Sequence, residues 1–114
     1  MSPARRQALL WLASRGSAAV LALCVVVHLV TMMVAVRGGL TAAEILGRTR
    51  GSAAWAGFYG IFVVAVSIHA PLGIRTAVGE LAGRQGRTLD VLALAIGVLL
   101  LVGGLRAVLA VTTA

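Results

Sequence analysis

The chain has 114 residues, of which 61% are hydrophobic and 11% are charged, and its mean hydropathy is +1.05. A soluble domain has about 25% charged residues, and a disordered chain combines low hydrophobicity with high net charge. The composition excludes both classes and predicts an integral membrane protein. Because the spans use much of the length, we expect no separate catalytic domain, so any chemistry takes place in the bilayer or in a partner.

Three apolar stretches are long enough to cross a hydrocarbon core of about 30 Å, which requires about 20 residues. They cover approximately residues 18–36, 53–74 and 91–111. None shows the alternation of a barrel strand, and outside a closed barrel only helices satisfy their backbone groups in lipid. The sequence predicts an all-α fold, a three-helix transmembrane bundle forming one domain over residues 1–114. We expect the first stretch to be a retained helix rather than a cleaved signal peptide.

The segments around the spans contain signals for turns and for a short helix. Residues 7–12 are expected to form an interfacial lead-in, and the glycine pair at 38–39 is expected to end the first helix. Thr41 and Glu44 have the spacing of a capping box, which predicts a short helix outside the membrane. A second turn is predicted at residues 83–86.

The basic residues, all arginine, predict the orientation of the chain. Six lie on the side of the N terminus: Arg5, Arg6, Arg15, Arg75, Arg84 and Arg87. Four lie on the opposite side: Arg37, Arg48, Arg50 and Arg106. The excess favours a cytoplasmic N terminus. Because these arginines flank the spans, the isoelectric point near 11.8 does not indicate a nucleic-acid partner.

Two histidines, His28 and His69, lie within apolar stretches, where polar side chains are costly and require an explanation. A neutral imidazole can bond a neighbouring helix, or it can bind haem iron as an axial ligand. Ala65 and Gly73 lie one turn from His69, where small side chains leave room for a macrocycle and also favour close helix packing. Arg75 is either the partner of a haem propionate or a positive anchor at the cytoplasmic surface.

The two histidines are expected at different depths. At a rise of about 1.5 Å per residue, His28 lies roughly 15 Å and His69 roughly 7–8 Å from the cytoplasmic ends of their helices. Because ligands of one iron must face each other across the ring, each histidine would need a second ligand from another polypeptide. Pro71, which cannot donate to the carbonyl of Ser67, predicts a kink near His69.

The segment His69-Ala-Pro-Leu-Gly73-Ile-Arg75 has the spacing H-x-x-x-G-x-R. It resembles the second-helix signature of the cytochrome b membrane-anchor subunits of succinate dehydrogenase and fumarate reductase. The resemblance implies that His69 is an axial ligand of haem b and that Arg75 lies near the propionates. His28 resembles the additional ligand of the two-haem members, in which first-helix and second-helix histidines serve different haems.

The segment Arg15-Gly16-Ser17 resembles the R-x-S at the start of the family's first helix, where the arginine and nearby hydroxyls border the quinone site. By this resemblance, Arg15, Ser14 and Ser17 are the candidate quinone-binding residues. The similarity covers the three-helix layout and roughly residues 11–83.

The resemblance implies a membrane-anchor subunit of a succinate:quinone oxidoreductase, either succinate dehydrogenase or fumarate reductase, that catalyses nothing alone. Such a subunit binds one or two haem b groups and helps to pass electrons between an iron–sulfur subunit and quinone. The implied partners are that iron–sulfur subunit, a flavoprotein subunit, and a second anchor subunit or another copy of this chain. The expected location is a bacterial cytoplasmic membrane, in contact with lipid.

Two other functions are considered. One is a haem-free structural or transport subunit, in which both histidines are packing or proton-relay groups. The other is a different di-haem quinone-reactive cytochrome, such as a hydrogenase or formate dehydrogenase anchor. The di-haem cytochrome is disfavoured because such anchors generally need four histidines in one longer chain.

Overall fold

Within residues 1–83 and 86–113, which are described by a computed structural model, the chain forms four helices. Their bounds are α1 Pro3–Arg37, α2 Ala42–Thr49, α3 Ala53–Ala82 and α4 Arg87–Thr112. Three of them, α1, α3 and α4, are long and apolar enough to cross a membrane. The predicted all-α, three-span architecture is therefore confirmed. Arg84, counted above for the orientation and placed in the second turn, lies outside the described residues.

Local sequence signals set the ends of the helices. Ser2, Thr41 and Ser52 are the N-caps of α1, α2 and α3, and each hydroxyl accepts a hydrogen bond from a backbone N–H three residues later. Gly38 is the C-cap of α1, and Gly39 follows with a φ of 69°, a left-handed conformation that favours glycine. The glycine break and the short helix beginning after Thr41 were both predicted from the sequence.

The helix α1 is longer than the span that the sequence predicts. It runs unbroken through residues 7–12, so the expected lead-in is part of the spanning helix. Its 35 residues correspond to about 52 Å at a rise of about 1.5 Å per residue, against a hydrocarbon core of about 30 Å. Hydropathy marks the part of a helix that lies in lipid, whereas the helix itself continues until a cap ends it. For the same reason α3 and α4 exceed their predicted spans, and α3 continues through Pro71.

The helix α3 packs against both α1 and α4, and two glycines of α4 allow a close approach. A Cβ atom at Gly97 would lie 3.1 Å from Cγ of Pro71 and 3.2 Å from the carbonyl oxygen of Ser67. A Cβ atom at Gly104 would lie 2.6 Å from Cγ1 of Val63. Small residues at a helix interface let two backbones approach in a membrane. These two contacts fix how closely α4 approaches α3, and neither was predicted from the sequence.

Few side chains are buried inside the described part of the bundle. The buried apolar residues are Cys24, Ala35, Ala65, Pro71, Ala93 and Val108. All are small or medium-sized, and within the described residues no large side chain is fully buried. Leucines such as Leu23 and Leu99 are 68% and 72% exposed. In a membrane, side chains of this kind contact lipid tails or the helices of a partner.

The connection between α2 and α3 caps the C terminus of α4. The last carbonyl groups of a helix lack donors within that helix. The hydroxyl of Thr49 donates to the carbonyl oxygen of Val111 at 2.7 Å. The backbone N–H of Gly51 donates to the carbonyl oxygen of Thr112, also at 2.7 Å. We call this side of the bundle the Thr49 end, and the opposite side, where α3 ends and α4 begins, the Arg75 end.

Candidate functional site

The helices α1 and α3 meet at Ser17 and His69, towards the Arg75 end. The Oγ atom of Ser17 lies 3.3 Å from Nδ1 of His69. Ser17 is 8% exposed, and its hydroxyl also donates to the carbonyl oxygen of Ser14 at 3.1 Å. Among the described residues, Nε2 of His69 has no hydrogen-bond partner, and it is not one of the buried unpaired atoms. The imidazole is thus held through one nitrogen while the other stays accessible at the surface of the bundle.

His28 lies against aromatic side chains of α3, towards the Thr49 end. Its ring centroid is 6.0 Å from that of Tyr59 and 6.1 Å from that of Phe62, both in edge-on geometry. The Nδ1 atom of His28 is buried and has no hydrogen-bond partner among the described residues. A buried polar atom without a partner costs about 1–3 kcal/mol. His28 therefore has a binding capacity that the described part of this chain leaves unused.

A cavity of about 330 Å³ adjoins His28. Side chains from all four helices line it, including His28, Leu46, Tyr59, Phe62 and Val108. Its volume lies at the lower end of the range of about 300–1,000 Å³ that is usual for small-molecule sites. The unpaired histidine thus borders a space that could hold part of a ligand.

The two imidazoles lie at different depths in the bundle, as the sequence analysis expected. Ser17 of α1 is opposite His69, whereas His28 is opposite Tyr59 and Phe62. Along α3, His69 comes 7 residues after Phe62 and 10 residues after Tyr59. At about 1.5 Å per residue, this places the two histidines roughly 10–15 Å apart in depth. They cannot face each other across one iron.

Arg75 pairs with Asp90 where α3 and α4 meet at the Arg75 end. Nε of the guanidinium lies 2.7 Å from Oδ1 of the carboxylate, and the two side chains are 37% and 49% exposed. The sequence predicted either a haem propionate or an anchoring role at the membrane surface for Arg75, and the pairing with a carboxylate of the same chain was not predicted. A guanidinium has five N–H donors, and an exposed ion pair contributes only about 0–1 kcal/mol. Arg75 therefore retains donors for a second anion.

Two grooves lie between the helices. The first has a volume of about 640 Å³, lies mainly between α1 and α3, and is almost wholly apolar, with Gly16, Ser17 and Ala65 in its wall. The second has a volume of about 600 Å³ and lies mainly between α3 and α4. Its wall is also largely apolar, but it includes the charged residues Arg6, Arg75 and Asp90. The first groove adjoins the predicted quinone residues.

The remaining predicted site residues differ in their surroundings. Gly73 faces open space, because a Cβ atom there would have no neighbour within 4 Å. Ala65 is only 6% exposed, so of the two small residues next to His69 only Gly73 leaves free space at the surface.

The guanidinium carbon of Arg15 lies 5.8 Å from the ring centroid of Trp11, a cation–π contact near the start of α1. Ser14 is half-buried.

Comparison of the chain with protein-family models, with curated proteins and with solved structures finds no match. Across residues 1–83 and 86–113, no three His, Cys, Asp or Glu side chains come together as a metal site. The function must be inferred from these side chains and their spacing.

Proposed function

We propose that the chain is a membrane-anchor subunit of a succinate:quinone oxidoreductase, which binds haem b and helps to form a quinone site. The observation that supports this most strongly is the state of His69. Its Nδ1 lies within hydrogen-bond distance of Ser17, and its Nε2 has no hydrogen-bond partner among the described residues. The H-x-x-x-G-x-R spacing of residues 69–75, on which the resemblance depends, is consistent with that role.

The side chains present fit a haem. A metal-ligating histidine usually binds through one ring nitrogen and donates the other N–H to a nearby acceptor, and His69 has such an acceptor in Ser17. The open side at Gly73 would accommodate the macrocycle, and the remaining donors of Arg75 would bind a propionate. When bound, haem b supplies a carrier for one electron at a time. His28 is the candidate ligand of a second haem.

Each haem would also be held by a residue of another polypeptide. The two histidines are separated in depth, and each is the only histidine at its level in the chain. That residue would come from a second anchor subunit or from another copy of this chain. Exposed apolar side chains such as Leu23 and Leu99 provide surface for such helix–helix contacts.

The quinone site is proposed at Ser14, Arg15 and Ser17. These residues lie within about one turn of α1, and Ser17 is the one among them that lines the groove of about 640 Å³. The apolar wall of this groove suits the isoprenoid tail of a quinone, while Arg15 supplies a donor for the ring. The iron–sulfur and flavoprotein subunits would dock on the cytoplasmic side at the Arg75 end, in a bacterial cytoplasmic membrane.

A haem-free structural or transport subunit is the second candidate. It is favoured by the contacts that both imidazoles already make, His69 with Ser17 and His28 with Tyr59 and Phe62. A proton relay is less suited to the chain than simple packing. The acidic residues Glu44, Glu80 and Asp90 lie in α2 or at the ends of α3 and α4, away from the histidine contacts.

Haem content of the purified complex tests the proposal. The tagged chain would be purified with its partners from its native membrane and examined by a reduced-minus-oxidised spectrum and a pyridine haemochrome assay. Wild type should contain haem b, His69→Ala should lose it, and added imidazole should restore part of the spectrum. Partial loss with His28→Ala would indicate two haems.

Ser67→Ala is the matched control, because this hydroxyl lies two residues from His69 and bonds only the carbonyl oxygen of Val63 on its own helix. It should leave the haem content unchanged. Mass spectrometry of the co-purifying subunits should identify a flavoprotein and an iron–sulfur protein. If wild type contains no haem, the cytochrome function is wrong and the haem-free subunit remains.

A further inference from the structure

The hydroxyl of Ser17 has two partners at the interface of α1 and α3. Ser17 is 8% exposed, so water does not compete freely for its hydroxyl. Its Oγ atom lies 3.1 Å from the carbonyl oxygen of Ser14 and 3.3 Å from Nδ1 of His69. Which group donates in each contact depends on where the protons are on the Ser17 hydroxyl and on the His69 imidazole, because the Ser14 carbonyl has none.

A hydroxyl has one proton and two lone pairs, and a backbone carbonyl can only accept. The contact with Ser14 is a hydrogen bond only if Ser17 donates its proton to that carbonyl. The contact with His69 is then a hydrogen bond only if Nδ1 carries a proton and donates a hydrogen bond to Oγ of Ser17. Both contacts are satisfied together in one arrangement, in which His69 is the Nδ1–H tautomer.

In a neutral imidazole the second nitrogen has a free lone pair. With the proton on Nδ1 of His69, this lone pair is on Nε2, the nitrogen that no described residue bonds. We propose that Ser17 is a positioning residue, which fixes His69 as the Nδ1–H tautomer and thereby presents Nε2 as the ligand atom. That the bound group is haem iron rests on the proposed function, whereas the tautomer itself does not.

The same contacts limit the part that Ser17 can take in binding quinone. The single proton of the Ser17 hydroxyl is donated to the carbonyl oxygen of Ser14. This hydroxyl can therefore accept a hydrogen bond but cannot donate one to a quinone oxygen. Of the three predicted quinone residues, Ser14 and Arg15 retain donors. His28 has no comparable arrangement, since its Nδ1 is buried without a partner in the described chain.

The tautomer of His69 can be measured because the chain contains only two histidines. The full chain, labelled with ¹⁵N-histidine, would be reconstituted without haem in lipid nanodiscs and measured by solid-state NMR at alkaline pH. His69→Gln would assign the signals. In wild type we expect His69 to carry its proton on Nδ1. A proton on Nε2, or an even mixture of tautomers, would overturn the proposal.

Variants of Ser17 separate positioning from simple packing. Ser17→Ala removes the acceptor, so the Nδ1–H signal should give way to a mixture of tautomers, and Ser17→Thr should restore it. The control is Thr31→Val, which removes a hydroxyl of α1 that bonds only the carbonyl oxygen of His28 and should leave His69 unchanged. If Ser17→Ala does not fold, the spectra of wild type and Ser17→Thr still decide the outcome.

Haem binding in the purified complex gives a second readout. Loss of the hydrogen-bond partner of a ligating histidine typically lowers metal affinity about 10–100-fold. Ser17→Ala should therefore weaken haem binding about tenfold or more and shift the haem midpoint potential, whereas Ser17→Thr should do neither. Unchanged affinity and potential in Ser17→Ala would overturn the positioning role but not the proposed function. A wild-type Nδ1–H tautomer in a complex without haem would support the tautomer and reject the proposed function.

Discussion

Gly97 of α4 lies directly against Pro71 of α3. The proline has no N–H, so it leaves the carbonyl oxygen of Ser67 without its helical donor. A Cβ atom at Gly97 would lie 3.2 Å from that oxygen and 3.1 Å from Cγ of the proline. The glycine therefore meets the chain where the hydrogen bonding of α3 is interrupted, and the lack of a side chain leaves space for that carbonyl.

Replacing Gly97 should loosen the packing of α4 on α3. We expect Gly97→Ala to be less stable than Gly103→Ala, because its methyl group presses on Pro71 and on the carbonyl of Ser67, and we expect Gly97→Leu to cost about 1–3 kcal/mol through overpacking. Thermal unfolding in detergent micelles, followed by circular dichroism, measures the effect. Gly103→Ala is the matched control, because a Cβ atom at Gly103 has no neighbour within 4 Å. Equal melting temperatures for the two alanine variants would show that Gly97 is not a packing contact.

Gly104 and Val63 should behave as a coupled pair. A Cβ atom at Gly104 would lie 2.6 Å from Cγ1 of Val63, so Gly104→Ala forces the valine or the helix to move. Val63→Ala alone leaves a gap, but in combination it removes the clash. We expect the double variant to be more stable than the sum of the two single changes, by about 0.5–3 kcal/mol. Additive effects in the double-mutant cycle would contradict the contact.

Thr49 should stabilise the fold by capping α4. Thr49→Val keeps the shape of the side chain but removes the hydrogen bond to the carbonyl oxygen of Val111, at a cost of about 1 kcal/mol. Thr49→Ser retains the hydroxyl and should lose less. Thr113→Val provides the control, because that exposed hydroxyl bonds only Leu109 of the preceding turn. Detergent unfolding midpoints should rank wild type and the serine variant above Thr49→Val.

The ion pair of Arg75 and Asp90 should contribute little to stability. Both side chains are more than a third exposed, so a double-mutant cycle with Arg75→Gln and Asp90→Asn should give a coupling of about 1 kcal/mol or less, which decreases with added salt. Under the proposed function, Asp90→Asn should leave haem content unchanged, while Arg75→Gln should lower it. A large coupling that salt does not affect would indicate a desolvated pair instead.

The sequence predicts the helices well because their signals are local. Apolar runs, the capping residue Thr41 and the glycines at 38–39 act within one or two turns, and the structure confirms all three kinds of signal. The N-terminal end of α1 was predicted less well. Hydropathy identifies residues suited to lipid, but it does not show that the helix continues back to Pro3.

The contacts between helices were not predicted, because they depend on register across long separations. Ser17 and His69 were both selected as site residues, yet their contact spans 52 positions of the chain. Arg75 was assigned to an external anion because nothing local indicates that Asp90 lies beside it. The position of Gly97 in the sequence does not show that it lies at a close contact, because this depends on Pro71 of another helix facing it.

The unbroken course of α1 has a mechanical consequence. Between Ser17 and His28, α1 contains neither proline nor glycine, the residues at which helices most often kink. The α1 residues opposite His69 and His28 itself therefore lie on one uninterrupted stretch of helix. A tilt of this stretch would displace both histidine levels together.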